Sequence, residues 1–105
     1  MSYGQGMELE FEGQVIEWRG PAPYYFVRLP ENEAGVVEDH KAMLTYGWGA
    51  IPAAATLGDT EFTTSLFPRE GGYLLPLKDA VRKAEGIGEG DTVVVRLTLQ
   101  VADGN

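Results

Sequence analysis

At 105 residues, with no cysteine and a net charge of −8, the chain fits one domain and excludes disulfides, thiol nucleophiles and thiolate metal sites. The charge argues against nucleic acid as a partner, because backbone phosphates are bound by Lys and Arg and repelled by an acidic surface. No run reaches the ~20 apolar residues of a membrane helix, and Met1 to Gly6 lacks the pattern of a signal peptide, so a soluble protein of the cytoplasm is expected.

Glu8-Leu9-Glu10-Phe11-Glu12 alternates with period two, the mark of a half-buried strand. Gly13 breaks the phase as a bulge would, and Val15 to Trp18 continues the strand. Arg19 to Pro23 is a turn, because Pro fixes φ and Gly frees it. Tyr24 to Leu29 is a second strand, rich in aromatic and β-branched residues. After Pro30 a helix is expected from Glu31 to about Leu44, with acids in its first turn and Ala34, Val37, Lys41 and Leu44 on one stripe.

Gly47-Trp48-Gly49 punctuates the chain before a third strand, Ala50 to Leu57, whose Pro52 belongs at an edge or a bulge. Gly58-Asp59 turns it into Glu61 to Phe67, making a hairpin. Pro68 to Gly72 is a second turn and Tyr73 to Leu75 a short strand. A second helix is expected from Pro76 to Ala84, burying Leu77, Ala80, Val81 and Ala84, with Gly86 as its left-handed stop. Gly88 to Asp91 turns the chain into the longest strand, Thr92 to Val101, with Val93, Val95, Leu97, Leu99 and Val101 on one side. Val94 leaves both faces apolar at one end, which predicts that this end is covered twice. The ordered domain is expected over residues 7–101, with 1–6 and 102–105 as loose tails.

A strand, Pro30, a helix, Gly47 to Gly49 and a strand form one unit; a strand, Pro76, a helix, Gly86 to Gly90 and a strand form another. The echo predicts a mostly β fold with two short helices: a closed six-stranded β-barrel with an internal pseudo-two-fold repeat, built by one chain as a monomer.

The second unit, Tyr73-Leu74-Leu75-Pro76 through Gly86-Ile87-Gly88-Glu89-Gly90-Asp91 to Val93, resembles the swapped-hairpin proteins of the AbrB and MazE type. Phe26-Val27-Arg28-Leu29-Pro30, Gly47-Trp48-Gly49-Ala50-Ile51-Pro52, Thr64-Ser65-Leu66-Phe67-Pro68 and Gly71-Gly72-Tyr73-Leu74-Leu75-Pro76 carry a further resemblance. With these motifs the chain, from Leu9 to Leu99, is similar to the bacterial family known as domain of unknown function nineteen-oh-five. The resemblance implies a closed double-split barrel and no established activity.

Candidate chemistry is sparse. Glu8, Glu10 and Glu12 share one strand face, but without converging ligands they read as a solvated ladder rather than a calcium site, so no metal is expected. His40, the single histidine, reads as an exposed helix residue rather than a catalytic base. Gly86 to Gly90 follows a helix and precedes Asp91, the reverse of a phosphate loop, and no cofactor motif is present. Tyr46, Trp48, Ser65, Phe67, Arg69, Tyr73 and Lys78 cluster near Gly- and Pro-rich corners. Aromatic bodies and cations there suit a site for a small anionic ligand or a protein partner. The favoured function is therefore a non-enzymatic binding module. An enzyme working through Arg69, Lys78 and Tyr73, or a DNA-binding regulator of the AbrB type, are the weaker readings.

Overall fold

The computed structural model describes residues 6–20, 24–44 and 51–100. The alternation of the opening segment carries through to Trp18 and builds one 13-residue strand, β1 (Gly6–Trp18). It is followed by β2 (Tyr24–Arg28), α1 (Glu31–Leu44), β3 (Ile51–Leu57), β4 (Thr60–Arg69), β5 (Gly72–Leu77), α2 (Asp79–Glu85) and β6 (Thr92–Gln100). All six strands pair antiparallel and close into a barrel in the order β1-β2-β5-β4-β3-β6. Exchanging β1 with β4, β2 with β5 and β3 with β6 leaves every neighbour relation in that order unchanged.

Closure depends on the length of β1. Its first part pairs with β6 from Gly6↔Gln100 to Gln14↔Thr92, and its last four residues pair with β2 from Val15↔Val27 to Trp18↔Tyr24. At the changeover the chain before β6 clamps it: the Val15 N–H donates to the Asp91 carbonyl, and the Gly90 N–H donates to Val15. No bulge occurs at Gly13. Odd-numbered residues face inward on both sides of it, and the register to β6 is unbroken. A glycine is needed there for a different reason. A Cβ at position 13 would sit 2.7 Å from Val27 Cγ1, and Val27 is fully buried and stiff about χ1. Gly13→Ala should therefore destabilise the barrel by about 1–3 kcal/mol. Urea denaturation should read this as a lower midpoint at unchanged slope.

The interior is filled rather than hollow. Val15, Val27, Ile51, Leu66, Leu75, Val95, Leu97 and Leu99 are fully buried along inward positions of all six strands. α1 closes one end with Ala34 and Val37, which belong to the same core. Its first bond runs from the Ala34 N–H to the Pro30 carbonyl, and Glu31 and Glu33 sit at its positive end. Lys41 stays in solvent, paired with Glu38 at 2.8 Å, rather than joining the buried stripe.

Three further expectations are corrected. Pro76 lies in β5 opposite Phe26, so the helix begins only at Asp79; Val81 is buried, while Ala80 and Ala84 are exposed. Proline is tolerated in β5 because the β4–β5 ladder covers only Phe67 to Arg69 and has ended by Pro76. Val94 is 51% exposed, opposite Glu12, so that end of β6 has no second cover. Pro52 is neither a bulge nor at an open edge: it pairs with Ser65 inside the closed barrel, one residue outside the β3–β6 ladder that starts at Ala53. Gly86 does stop α2, in the left-handed region at φ 65°. Of the expected tails, Gly6 belongs to β1; residues 1–5 and 101–105 lie outside the described residues.

Two tight turns finish the frame. Leu57 pairs with Thr60 across Gly58-Asp59, and this turn is tied to α2 by Glu85, which accepts from the Thr60 hydroxyl and the Asp59 N–H. The β4–β5 turn is Glu70-Gly71, with φ of 52° and 78°, the double left-handed geometry that matches strand twist. Pro68 and Arg69 therefore belong to β4 rather than to the turn.

Candidate functional site

Strand alternation sorts the outer surface into two unlike faces. Along β1 the residues sharing a side with Glu8, Glu10 and Glu12 are Gln14, Ile16 and Trp18. The acidic part lies over β6 and β3, where Glu10 is opposite Arg96 and Arg96 opposite Thr56. A groove of about 460 Å3 runs here between Glu8, Glu10, Thr56, Arg96 and Thr98. Among the described residues no three carboxylates or imidazoles come close enough together to hold a metal.

The other face is apolar. Ile16 is opposite Phe26, Trp18 opposite Tyr24, Phe26 opposite Pro76, and Leu74 lies between its register partners Arg28 and Phe67. Trp18 and Tyr24 touch as tilted rings 5.7 Å apart, and Tyr24 and Phe26 do so at 5.6 Å. Five large hydrophobic side chains are exposed among the described residues, and four of them (Ile16, Trp18, Tyr24 and Phe67) are on this face, with Trp18 42% and Phe67 49% exposed. Contiguous apolar surface on a folded domain marks an interaction site more often than chance.

Three of the seven residues singled out by sequence, Phe67, Arg69 and Lys78, belong to this face, whereas Ser65 is opposite Pro52 in the β3–β4 ladder. Ser65, Phe67 and Arg69 point outward from β4, and Lys78, still extended just beyond β5, continues its outward side. Tyr73 does not join them. It is buried on the inward side of β5, and its hydroxyl donates to Glu38 Oε1 of α1 at 2.9 Å. Tyr46 and Trp48 lie outside the described residues. Arg69 and Lys78 therefore do not converge with Tyr73, and the described members of the set bring no nucleophile against a base.

Sequence reasoning missed Ile16, Trp18, Tyr24, Phe26 and Arg28. The signal was available: carrying the period-two phase from Glu8 through Gly13 puts Ile16 and Trp18 on the solvent side. Tyr24-Tyr25-Phe26 likewise has no polar residue on either face.

Bases gather around the apolar face. Arg19, Arg28, Arg69 and Lys78, four of the eight in the chain, flank it. Arg19 is engaged by Glu17 and Glu89 at 3.3 and 3.2 Å. Arg28 donates to the carbonyls of Arg69 and Glu70 at 3.3 and 3.0 Å, bracing the tight turn. Arg69 and Lys78 have no carboxylate partner among the described residues. Arg82 belongs elsewhere: its guanidinium lies 3.6 Å over the Tyr25 ring and pairs with Asp79.

At the Arg28 end of the face a cleft of about 410 Å3 separates α1 from the Glu70-Gly71 turn, lined by Arg28, Glu31, Glu38, Glu70 and the glycines 35, 71 and 72. Hydrogen bonds from Lys41 and Tyr73 hold the Glu38 carboxyl below the usual carboxylate range. The Tyr73 phenol is pushed up to about 12, by burial first and then by its bond to Glu38. His40, expected in solvent, is half-buried, and its Nδ1 donates to the Val36 carbonyl at 2.8 Å. A carbonyl can only accept, which fixes that tautomer.

Among the described residues no helix is long and apolar enough to cross a membrane. No curated protein matches the chain. The profile of one family, described as a domain of unknown function (DUF1905), matches residues 11–97, which runs from the middle of β1 to the middle of β6 and takes in both helices and the whole apolar face. The chain belongs to the DUF1905 family.

Proposed function

We propose that this domain is a non-enzymatic binding module, and that its apolar face docks an acidic, apolar segment of another protein. The observation that carries the reading is the concentration of exposed large hydrophobics on one outer face of the barrel. Interface centres favour Trp, Tyr, Phe and Arg over Lys and Glu, and Trp18, Tyr24, Phe26, Phe67, Arg28 and Arg69 match that composition. Charge selects the partner: Arg28, Arg69 and Lys78 border the patch on a protein of net charge −8, so an acidic segment is drawn to this face and repelled by the rest. A closed barrel has no free strand edge, so the segment lies across the face rather than extending the sheet.

The remaining parts of the proposal follow the same frame. One chain closes the barrel alone, which supports a monomer and a single domain over residues 7–101. The exchangeable strand order supports a pseudo-two-fold repeat of the AbrB-like kind. The lack of cysteine supports a reducing compartment such as the cytoplasm.

Trp18 can report on docking once the other tryptophan is removed by Trp48→Phe. A synthetic peptide alternating Glu with Leu and Phe should shift Trp18 emission saturably to the blue. Reversing Arg69 and Lys78 to Glu should weaken that binding at least tenfold, with the circular dichroism spectrum unchanged. Equal binding of a Lys-for-Glu version of the peptide, or no saturable shift, would overturn the proposal. So would tight, salt-sensitive capture of a single-stranded oligonucleotide by the same face, since stacked bases are the other ligand of aromatic, basic surfaces.

A further inference from the structure

The cleft between α1 and the β4–β5 turn holds charges of both signs that do not meet. Arg28 and the carboxylates of Glu31, Glu38 and Glu70 line the same space of about 410 Å3, within the roughly 300–1,000 Å3 of small-molecule clefts. Yet no ion pair joins Arg28 to any of the three: the ion pairs among the described residues are Arg19–Glu17, Arg19–Glu89, Lys41–Glu38 and Arg82–Asp79. Arg28 is instead fixed by the backbone. Nη1 and Nη2 donate to the carbonyls of Arg69 and Glu70, which uses two of its five N–H groups and orients the rest. Close approach of this guanidinium also needs Gly72, whose absent Cβ would lie 2.6 Å from Nη2. The Glu38 carboxylate is occupied by Lys41 and Tyr73, whereas the side-chain carboxylates of Glu31 and Glu70 have no hydrogen-bond partner among the described residues. At Gly35 and Gly71 a Cβ would meet nothing within 4 Å, so the walls leave room for a ligand.

We propose that this cleft binds a small zwitterion of the amino-acid class, its carboxylate on Arg28 and its ammonium between Glu31 and Glu70. A simple anion placed on Arg28 would face uncompensated carboxylates, and a simple cation beside Glu31 would face the guanidinium. A ligand carrying both charges satisfies both sides and gains charge-assisted hydrogen bonds at each end. The carboxylates alone are not gathered as metal ligands. This site shares only Arg28 with the apolar face proposed to dock a protein segment; its carboxylates and glycines belong to the cleft alone, so either proposal stands if the other fails.

The test is a titration of the full chain, followed by amide chemical shifts, with glycine, β-alanine, γ-aminobutyrate and 5-aminovalerate. Acetate and methylammonium serve as single-charge controls. At least one zwitterion should shift Gly35, Gly71 and Gly72 saturably and bind at least tenfold more tightly than either control; the preferred chain length then reads the separation of the two charges. Glu31→Gln with Glu70→Gln should reduce that ligand to the level of acetate, and Arg28→Gln should abolish it. Because Arg28 braces the turn, the double glutamine variant, altered only at exposed side chains, carries the decision if Arg28→Gln unfolds. Acetate or methylammonium binding as tightly as every zwitterion would overturn the proposal. So would the absence of a saturable shift up to roughly 10 mM, where a 1 mM Kd would be nearly filled, or full retention of binding by the double variant. Peptide docking monitored at Trp18 should be unaffected by Glu31→Gln, which separates the two sites.

Discussion

Leu97→Ala should lower the stability of the barrel by about 2–5 kcal/mol, a large fraction of the roughly 5–15 kcal/mol that holds a domain folded. Leu97 is 1% exposed at the middle of β6, paired to Leu9 on one side and Ala55 on the other. Ala55 is too small to swing into the space, and Val95 and Leu99, its inward neighbours on the same strand, are held by their own ladders. Little relaxation is available, which places the cost in the upper part of the range. Thermal unfolding should show a midpoint lower by roughly 10–30 °C. Thr98→Ala, on the outward side of the same strand, should move it by only a few degrees. Comparable losses at both positions would mean that β6 is not the two-sided central strand described above.

Alkali should single out Tyr73. Its phenol is pushed up to about 12, so the folded state holds the proton more tightly than the unfolded chain, whose tyrosines ionise near 10. The sign follows directly. Below pH 10 the contribution is fully present; as pH rises from about 10 to about 12 the unfolded chain ionises first, and the contribution drains away. Two pH units correspond to a loss of about 2 kcal/mol or slightly more. Tyr73→Phe removes the hydrogen bond to Glu38 and should be less stable by about 1 kcal/mol near pH 7. It should, however, lose less stability between pH 10 and pH 12, so the two stability curves converge or cross in alkali. Parallel curves over that window would show that Tyr73 ionises as freely in the barrel as in the unfolded chain.

How much of this was written in the sequence differs between frame and surface. Period-two runs such as Glu8 to Glu12 and Val93 to Leu99 fixed inward and outward sides correctly, because alternation is a direct consequence of strand geometry. Gly58-Asp59, Gly86 and the Pro30 start of α1 were legible because each answers a local backbone demand. Pro76 misled, since a proline before helix formers such as Ala80, Arg82, Lys83 and Ala84 satisfies a helix start as well as it satisfies a strand paired on one side only. That choice was made by β2, 50 residues away, pairing Phe26 with it. Gly13 misled in a similar way: what excludes a side chain there is Val27, which no local pattern announces. Among the candidate residues, Phe67, Arg69 and Lys78 stand out in the sequence because cations and aromatics near turns are conspicuous in a chain with few bases. Arg28 was missed because its importance comes from the carbonyls of Arg69 and Glu70, partners supplied by a turn 41 and 42 residues later.

The ladder between β1 and β6 joins Gly6 to Gln100, so the longest pairing in the barrel links its two most distant segments. Such a seam has a kinetic meaning. The β3–β4 and β4–β5 hairpins can form by local search, whereas sealing the cylinder must wait for nearly the whole chain to be threaded into position, at the full entropic cost of closing that loop. High contact order of this kind slows folding to the millisecond-to-second range. Until the seam closes, β1 and β6 each present an unprotected edge, the interval in which a chain like this one is most open to pairing with its neighbours.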